Sequence, residues 1–160
     1  MQIDLTKIQI REIGANEVEL LTTHRMAYLA EMQGEQSEEY RQKLEDELNK
    51  YFTESLSENR FFAYLAEQDG HILSFGAMAL KKIPGDFNQS SFLEGDILNM
   101  YTIPAARRRG ISAMILEQLL IEARWRGVSK VTLHTSKDGE KLYRNFGFHD
   151  PVYPVLELNL

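Results

Sequence analysis

The stretch from Glu94 to His134 constrains this chain more than any other part of it. Glu94 to Ile103 reads as a strand, mixing Ile97, Leu98, Met100 and Tyr101 with Asn99. Pro104 follows, and Arg107-Arg108-Arg109-Gly110-Ile111-Ser112 forms a short basic turn. A helix is predicted from Ile111 to Trp125, because Ile111, Ile115, Leu116, Leu119, Leu120 and Ala123 make one wide apolar stripe. Arg124 and Arg126 suit its last turn and Gly127 its end. Val131 to His134 is the next strand. A strand, a crossover helix and a second strand require a parallel pair.

The remaining elements surround that unit. Ile8 to Ile13 alternates as a first strand, and Asn16 with Glu19 resembles a capping box opening a helix from about Glu17 to Met32. Arg25 lies on the apolar stripe of that helix with Val18, Leu21, Leu29 and Met32. It either extends its charge back to water or points it at a substrate pocket. Ser37 caps a second helix, one-sided through Tyr40, Leu44, Leu48, Phe52 and Leu56. Phe61 to Glu67 and Ile72 to Leu80 form a hairpin across Asp69-Gly70, and Gly76 within it signals a bulge or a close backbone approach. Lys81 to Ser91 is expected to be a surface loop, Ser136 to Asn145 a brief helix, and Tyr153 to Leu160 a half-buried final strand. The pattern predicts one α/β domain over residues 1–160, with a central mixed sheet flanked by helices.

The basic turn suits an anion. The first N–H groups of a helix are unpaired, the helix dipole adds partial positive charge, and Gly110 removes a Cβ that would hold a phosphate away. The anion is not expected to be a nucleic acid, because the net charge is −6. The turn lacks the Gly-x-x-x-x-Gly-Lys-Ser/Thr spacing of a P-loop and the Gly-x-Gly-x-x-Gly of a dinucleotide fold. With no cysteine, thiol nucleophiles and thiolate metal sites are excluded, and no His/carboxylate cluster has metal-ligand spacing. No apolar run approaches a membrane span, and Met1 to Asp4 lack the features of a signal peptide. A cytoplasmic protein without membrane partners is expected.

Arg107-x-x-Gly110-x-Ser112 resembles the Q/R-x-x-G-x-G/A signature of the GNAT superfamily of N-acetyltransferases. Tyr143-Arg144-Asn145-Phe146-Gly147-Phe148 is similar to that superfamily's Tyr-x-x-x-Gly-Phe element, in the expected order and with a helix and a strand between. Two positions depart: Ser112 stands where Gly or Ala is usual, and Ser136 where many members carry asparagine.

The resemblance implies the GNAT-like acyl-CoA N-acyltransferase fold, its parallel strands splayed around acetyl-CoA. It implies a pyrophosphate on the N–H groups of Arg109, Gly110, Ile111 and Ser112, with the Arg107 and Arg108 side chains nearby. The pantetheine arm would run beside Asn99, Met100, Tyr101 and Thr102, and Ser136 and Gly139 would also meet the cofactor. Tyr143 would protonate the departing thiolate and the N–H near Met100 would polarise the carbonyl. Glu94 is the candidate base, with Asp96 and His134 as rivals. The implied reaction moves an acetyl group to a primary amine of unidentified acceptor. The alternative is a CoA-binding regulatory or interaction module without transfer activity. A homodimer through the final strand is a further expectation.

Overall fold

The computed structural model describes residues 2–160. Five strands form one sheet in sequence order: β1 (Gln9–Glu12), β2 (Phe61–Gln68), β3 (His71–Pro84), β4 (Ser91–Thr102) and β5 (Lys130–Thr132). The first four are joined antiparallel, and β4 and β5 are parallel, as the crossover through α3 (Ile111–Trp125) demands. Helices α1 (Val18–Gln33) and α2 (Glu38–Ser57) precede β2, and a short α4 (Lys137–Asn145) follows β5.

Alternation along the strands divides the core in two. One set, with Phe62, Met78, Ile97, Ile111, Ile115 and Leu119, is built between the sheet and α3. The other, with Leu21, Phe52, Phe61, Leu65, Phe75 and Ala77, joins the opposite face to α1 and α2. The sheet is therefore covered on both faces, and β2 is buried along nearly its whole length.

Several expectations are corrected. The first helix is not opened by Asn16 and Glu19; the Glu17 carboxylate accepts from the N–H of Gly14 at 2.9 Å and is held by Arg11. The segment Lys81 to Ser91 is mostly strand, with Lys81 to Pro84 paired to Glu94 to Ser91, and only 85–90 is loop. Two-sided exposure gave those residues a polar pattern that resembles a loop. The strand expected over Val131 to His134 is Lys130–Thr132, and the chain leaves the sheet before His134. Tyr153 to Leu160 forms no strand; Leu156 and Leu158 are 92% and 82% exposed. The Asp69-Gly70 turn does form, both residues at positive φ as a tight hairpin requires.

Candidate functional site

The site begins with a fault in β4. Phe75 pairs with Tyr101 and Ala77 with Leu98, so Gly76 alone faces two residues, Asn99 and Met100. This is a β-bulge on β4, a device that re-aims side chains and bends a strand. Asn99 adopts φ +58°, which asparagine tolerates better than most residues. Gly76 supplies the room: a Cβ there would lie 2.4 Å from the Met100 sulfur and 2.8 Å from Ile115 Cγ2. The sequence expectation of a close approach at Gly76 holds, and the bulge itself lies on the neighbouring strand.

Parallel pairing between β4 and β5 covers only Glu94 to Asp96 with Lys130 to Thr132. β4 continues to Thr102, while the chain beyond Thr132 has already departed. Among the described residues no strand lies beside the β5-facing edge of β4 from Ile97 onward. An extended ligand can satisfy such an edge as an added strand would.

The basic turn lies just beyond the end of that edge. Arg108 at φ +62° and Gly110 at φ +82° give it two left-handed residues, and Gly110 caps α3 with nothing within 4 Å of where its Cβ would stand. Among the described residues no N–H from Arg108 to Ser112 donates to a protein acceptor. Successive outward N–H groups at a helix start form an anion-binding concavity. The Ile111 side chain is buried in the core, so this residue offers the turn only its backbone. The Ser112 hydroxyl is engaged with Thr102 Oγ1 at 2.8 Å, which in turn meets Ser74 Oγ at 2.8 Å. The small residue at this motif position therefore ties α3 to β4.

The three arginines separate. Arg107 turns back over the sheet: Nε donates to the Thr102 carbonyl at 2.8 Å, Nη2 pairs with Glu31 at 2.6 Å, and the guanidinium lies 5.6 Å from the Tyr101 ring centre. The Tyr101 hydroxyl donates to the other Glu31 oxygen at 2.6 Å. These two hydrogen bonds, Tyr101's first, hold the Glu31 carboxyl below its ordinary value. Arg108 and Arg109 are exposed and make no ion pair among the described residues.

Tyr143 is half-buried on α4, its ring edge-on to Phe148 at 5.8 Å. Burial pushes its phenol upward, and the nearby Tyr28 adds to the effect. The Ser136 hydroxyl caps α4 by accepting from the Gly139 N–H at 3.2 Å. A Cβ on Gly139 would crowd Thr135 Oγ1 at 3.1 Å and Tyr143 Cε2 at 3.3 Å, so glycine leaves that ring its place. Glu94 is paired with Lys130 at 2.9 Å, and Asp96 with Lys81 at 3.3 Å and with the Thr132 hydroxyl. Glu94 precedes Asn99 by five positions, about 16 Å of extended strand. His134 is exposed just past β5.

Two features of this site escaped the sequence reading. One is the bulge, whose only trace was a polar Asn99 within an apolar strand. The other is the Glu31, Tyr101 and Arg107 cluster. Its trace was Arg25, Tyr28 and Glu31, spaced three apart on one helix face and directed at β4.

A family model described as the acetyltransferase (GNAT) domain matches residues 59–150, from β2 through α4. The chain belongs to the GNAT acetyltransferase family. A predicted acetyltransferase of Clostridium acetobutylicum, solved with acetyl-CoA, is 30% identical with a TM-score of 0.82, over 95% of this chain and 96% of that one. A GCN5-related N-acetyltransferase of Ralstonia eutropha JMP134 shares the fold at 22% identity and a TM-score of 0.75, over 94% and 98% of the two chains. An aminoglycoside acetyltransferase from an uncultured soil metagenomic sample does so at 21% identity and 0.69, over 96% and 97%. No curated protein matches the sequence. Among the described residues no helix is long and apolar enough to cross a membrane. The family assignment agrees with the motifs at Arg107 to Ser112 and Tyr143 to Phe148, and the mixed sheet with its one parallel pair is the GNAT fold.

Proposed function

We propose that the protein is an acetyl-CoA-dependent N-acetyltransferase acting on a primary amine. The observation that carries this is the unpaired edge of β4 running directly into a turn of free N–H groups. One end offers backbone partners to an amide-bearing arm and the other receives a pyrophosphate, which is the order of groups in CoA. The solved relative with acetyl-CoA supports the same ligand.

In this reading the N–H groups of Arg109 to Ser112 take the pyrophosphate, with the exposed Arg108 and Arg109 adding charge. Arg107 acts mainly as a positioning residue, holding the turn to α1 through Glu31. Asn99 to Thr102 align the pantetheine arm, and the Met100 N–H polarises the thioester carbonyl. Acetyl-CoA supplies an activated acyl group: the amine nitrogen bonds to its carbonyl carbon, the carbon–sulfur bond breaks, and the thiolate departs. Tyr143 gives the thiolate its proton, which burial of the phenol keeps available at neutral pH. The amine must lose a proton, and Glu94, about 16 Å along β4 from Asn99, accepts it only through a chain of waters; Asp96 and His134 are its competitors for this role.

Calorimetric titration with acetyl-CoA, followed by CoA release across an amine panel, tests the proposal. Binding and release are expected. Absence of binding at millimolar acetyl-CoA overturns the site, and binding without release from any amine points to a module without transfer activity.

A second copy is the proposed partner of the C-terminal segment. Its alternating Leu156, Leu158 and Leu160 are exposed, and β5 ends the sheet with a free edge. Each copy thus carries an alternating segment that forms no strand on its own and a sheet edge that would pair with one, a self-complementary arrangement that closes as a dimer.

A further inference from the structure

We propose that the acceptor amine also carries an anionic group, a carboxylate or a phosphate, which the Arg25 guanidinium receives beside the β4 bulge. The inference rests on the transferase reading above and assigns its substrate class. Arg25 makes no ion pair among the described residues, and neither do Arg108, Arg109 and Arg124. Those three are exposed; Arg25 is drawn in between α1 and the sheet. A cation drawn partly out of water without a counter-charge is destabilised relative to a paired one, and a ligand anion would offset that cost.

Its surroundings leave it incomplete. A guanidinium has five N–H donors. One hydrogen bond is made, to the Asn99 side-chain oxygen, and one face lies over the Tyr28 ring at 5.7 Å. Neither partner is charged. The nearest acid along the same face of α1, Glu31, is already committed to Tyr101 and Arg107. Burial lowers the Arg25 pKa, and no carboxylate offsets it.

Position supplies the rest. Asn99 is the bulge residue, immediately before Met100, so the charge stands beside the point where the acyl group is held. Tyr28 lies beneath the Arg25 guanidinium and sets an aromatic ring beside the charge. Tyr28 also packs edge-on to Tyr101 at 6.2 Å. The wall is thus two tyrosines and one uncompensated cation, which suits a small anion-bearing amine. The overall charge of −6 attracts cations at long range, but contact with Arg25 selects at short range.

Two matched pairs of amines test this: leucine against 3-methylbutylamine for a carboxylate, and phosphoethanolamine against ethanolamine for a phosphate. The anionic member of at least one pair is expected to show a kcat/KM about tenfold higher or more, and Arg25→Gln should erase that ratio while Arg25→Lys restores part of it. As a readout independent of turnover, the Arg25 Nε–H resonance should move on titration with inorganic phosphate or acetate to tens of millimolar. Release of CoA with no preference in either pair and no movement of the resonance overturns the anion site and leaves the transferase. A moving resonance with no CoA release from any amine does the reverse.

Discussion

In the proposed reaction Tyr143 donates a proton and must keep it until the leaving group needs it, and burial of the phenol favours the protonated form. Tyr143→Phe is therefore expected to preserve acetyl-CoA affinity while kcat falls about 100-fold or more. Affinity and turnover falling together would remove the proton-donor role. Because burial raises this pKa, activity that depends on the protonated phenol should persist beyond the ordinary tyrosine value of about 10. Gly110 carries a different constraint. Its φ of +82° disfavours any residue with a Cβ by about 1–2 kcal/mol, while the space around it is open. Gly110→Asp should abolish cofactor binding with a small loss of thermal stability, and Gly110→Asn, better suited to this backbone, should lose less of both. Calorimetry and a thermal melt separate the two effects. Glu31 offers a pH test. Its folded pKa is depressed, so its contribution is complete above the unfolded value of about 4.3 and is lost as pH falls through the folded one. The Tm difference between the wild type and Glu31→Gln should accordingly vanish on acidification.

At the scale of elements, the strand, helix and turn rules succeeded where one chemical period dominates. The α3 stripe, the α2 helix and the Asp69-Gly70 turn are all local and each formed, although only the Leu48, Phe52 and Leu56 part of the α2 stripe packs on the core while Tyr40 and Leu44 are exposed. What escaped depends on partners distant in sequence. Lys81 to Pro84 are strand because Ser91 to Glu94 pair with them, not because of their own pattern. The family was legible because the turn and the Tyr143 element carry short motifs. The bulge was not, since it exists only in the register between two strands. Its mechanical demand falls on Gly76, and Gly76→Ala should cost about 1–3 kcal/mol in denaturant unfolding by pushing on Met100 and Ile115. The same substitution should weaken cofactor binding to the extent that displacing the Met100 and Ile115 side chains shifts the bulge.

For the molecule as a whole, the C-terminal segment is the part that a single copy does not use. If it pairs with a second copy, sedimentation will show a dimer, and Leu156→Glu with Leu158→Glu will yield monomers; a monomeric wild type would overturn the pairing. The opening between β4 and β5 has a larger consequence. A fold with an unpaired internal seam has its stability tied to the concentration of whatever fills it. Ligand at one hundred times its Kd adds about 2.7 kcal/mol to the folded state. With acetyl-CoA as the proposed ligand, half-lives, protease resistance and melting points of this protein become readings of cofactor supply, and a cell short of acetyl-CoA would hold the same chain in a more perishable form.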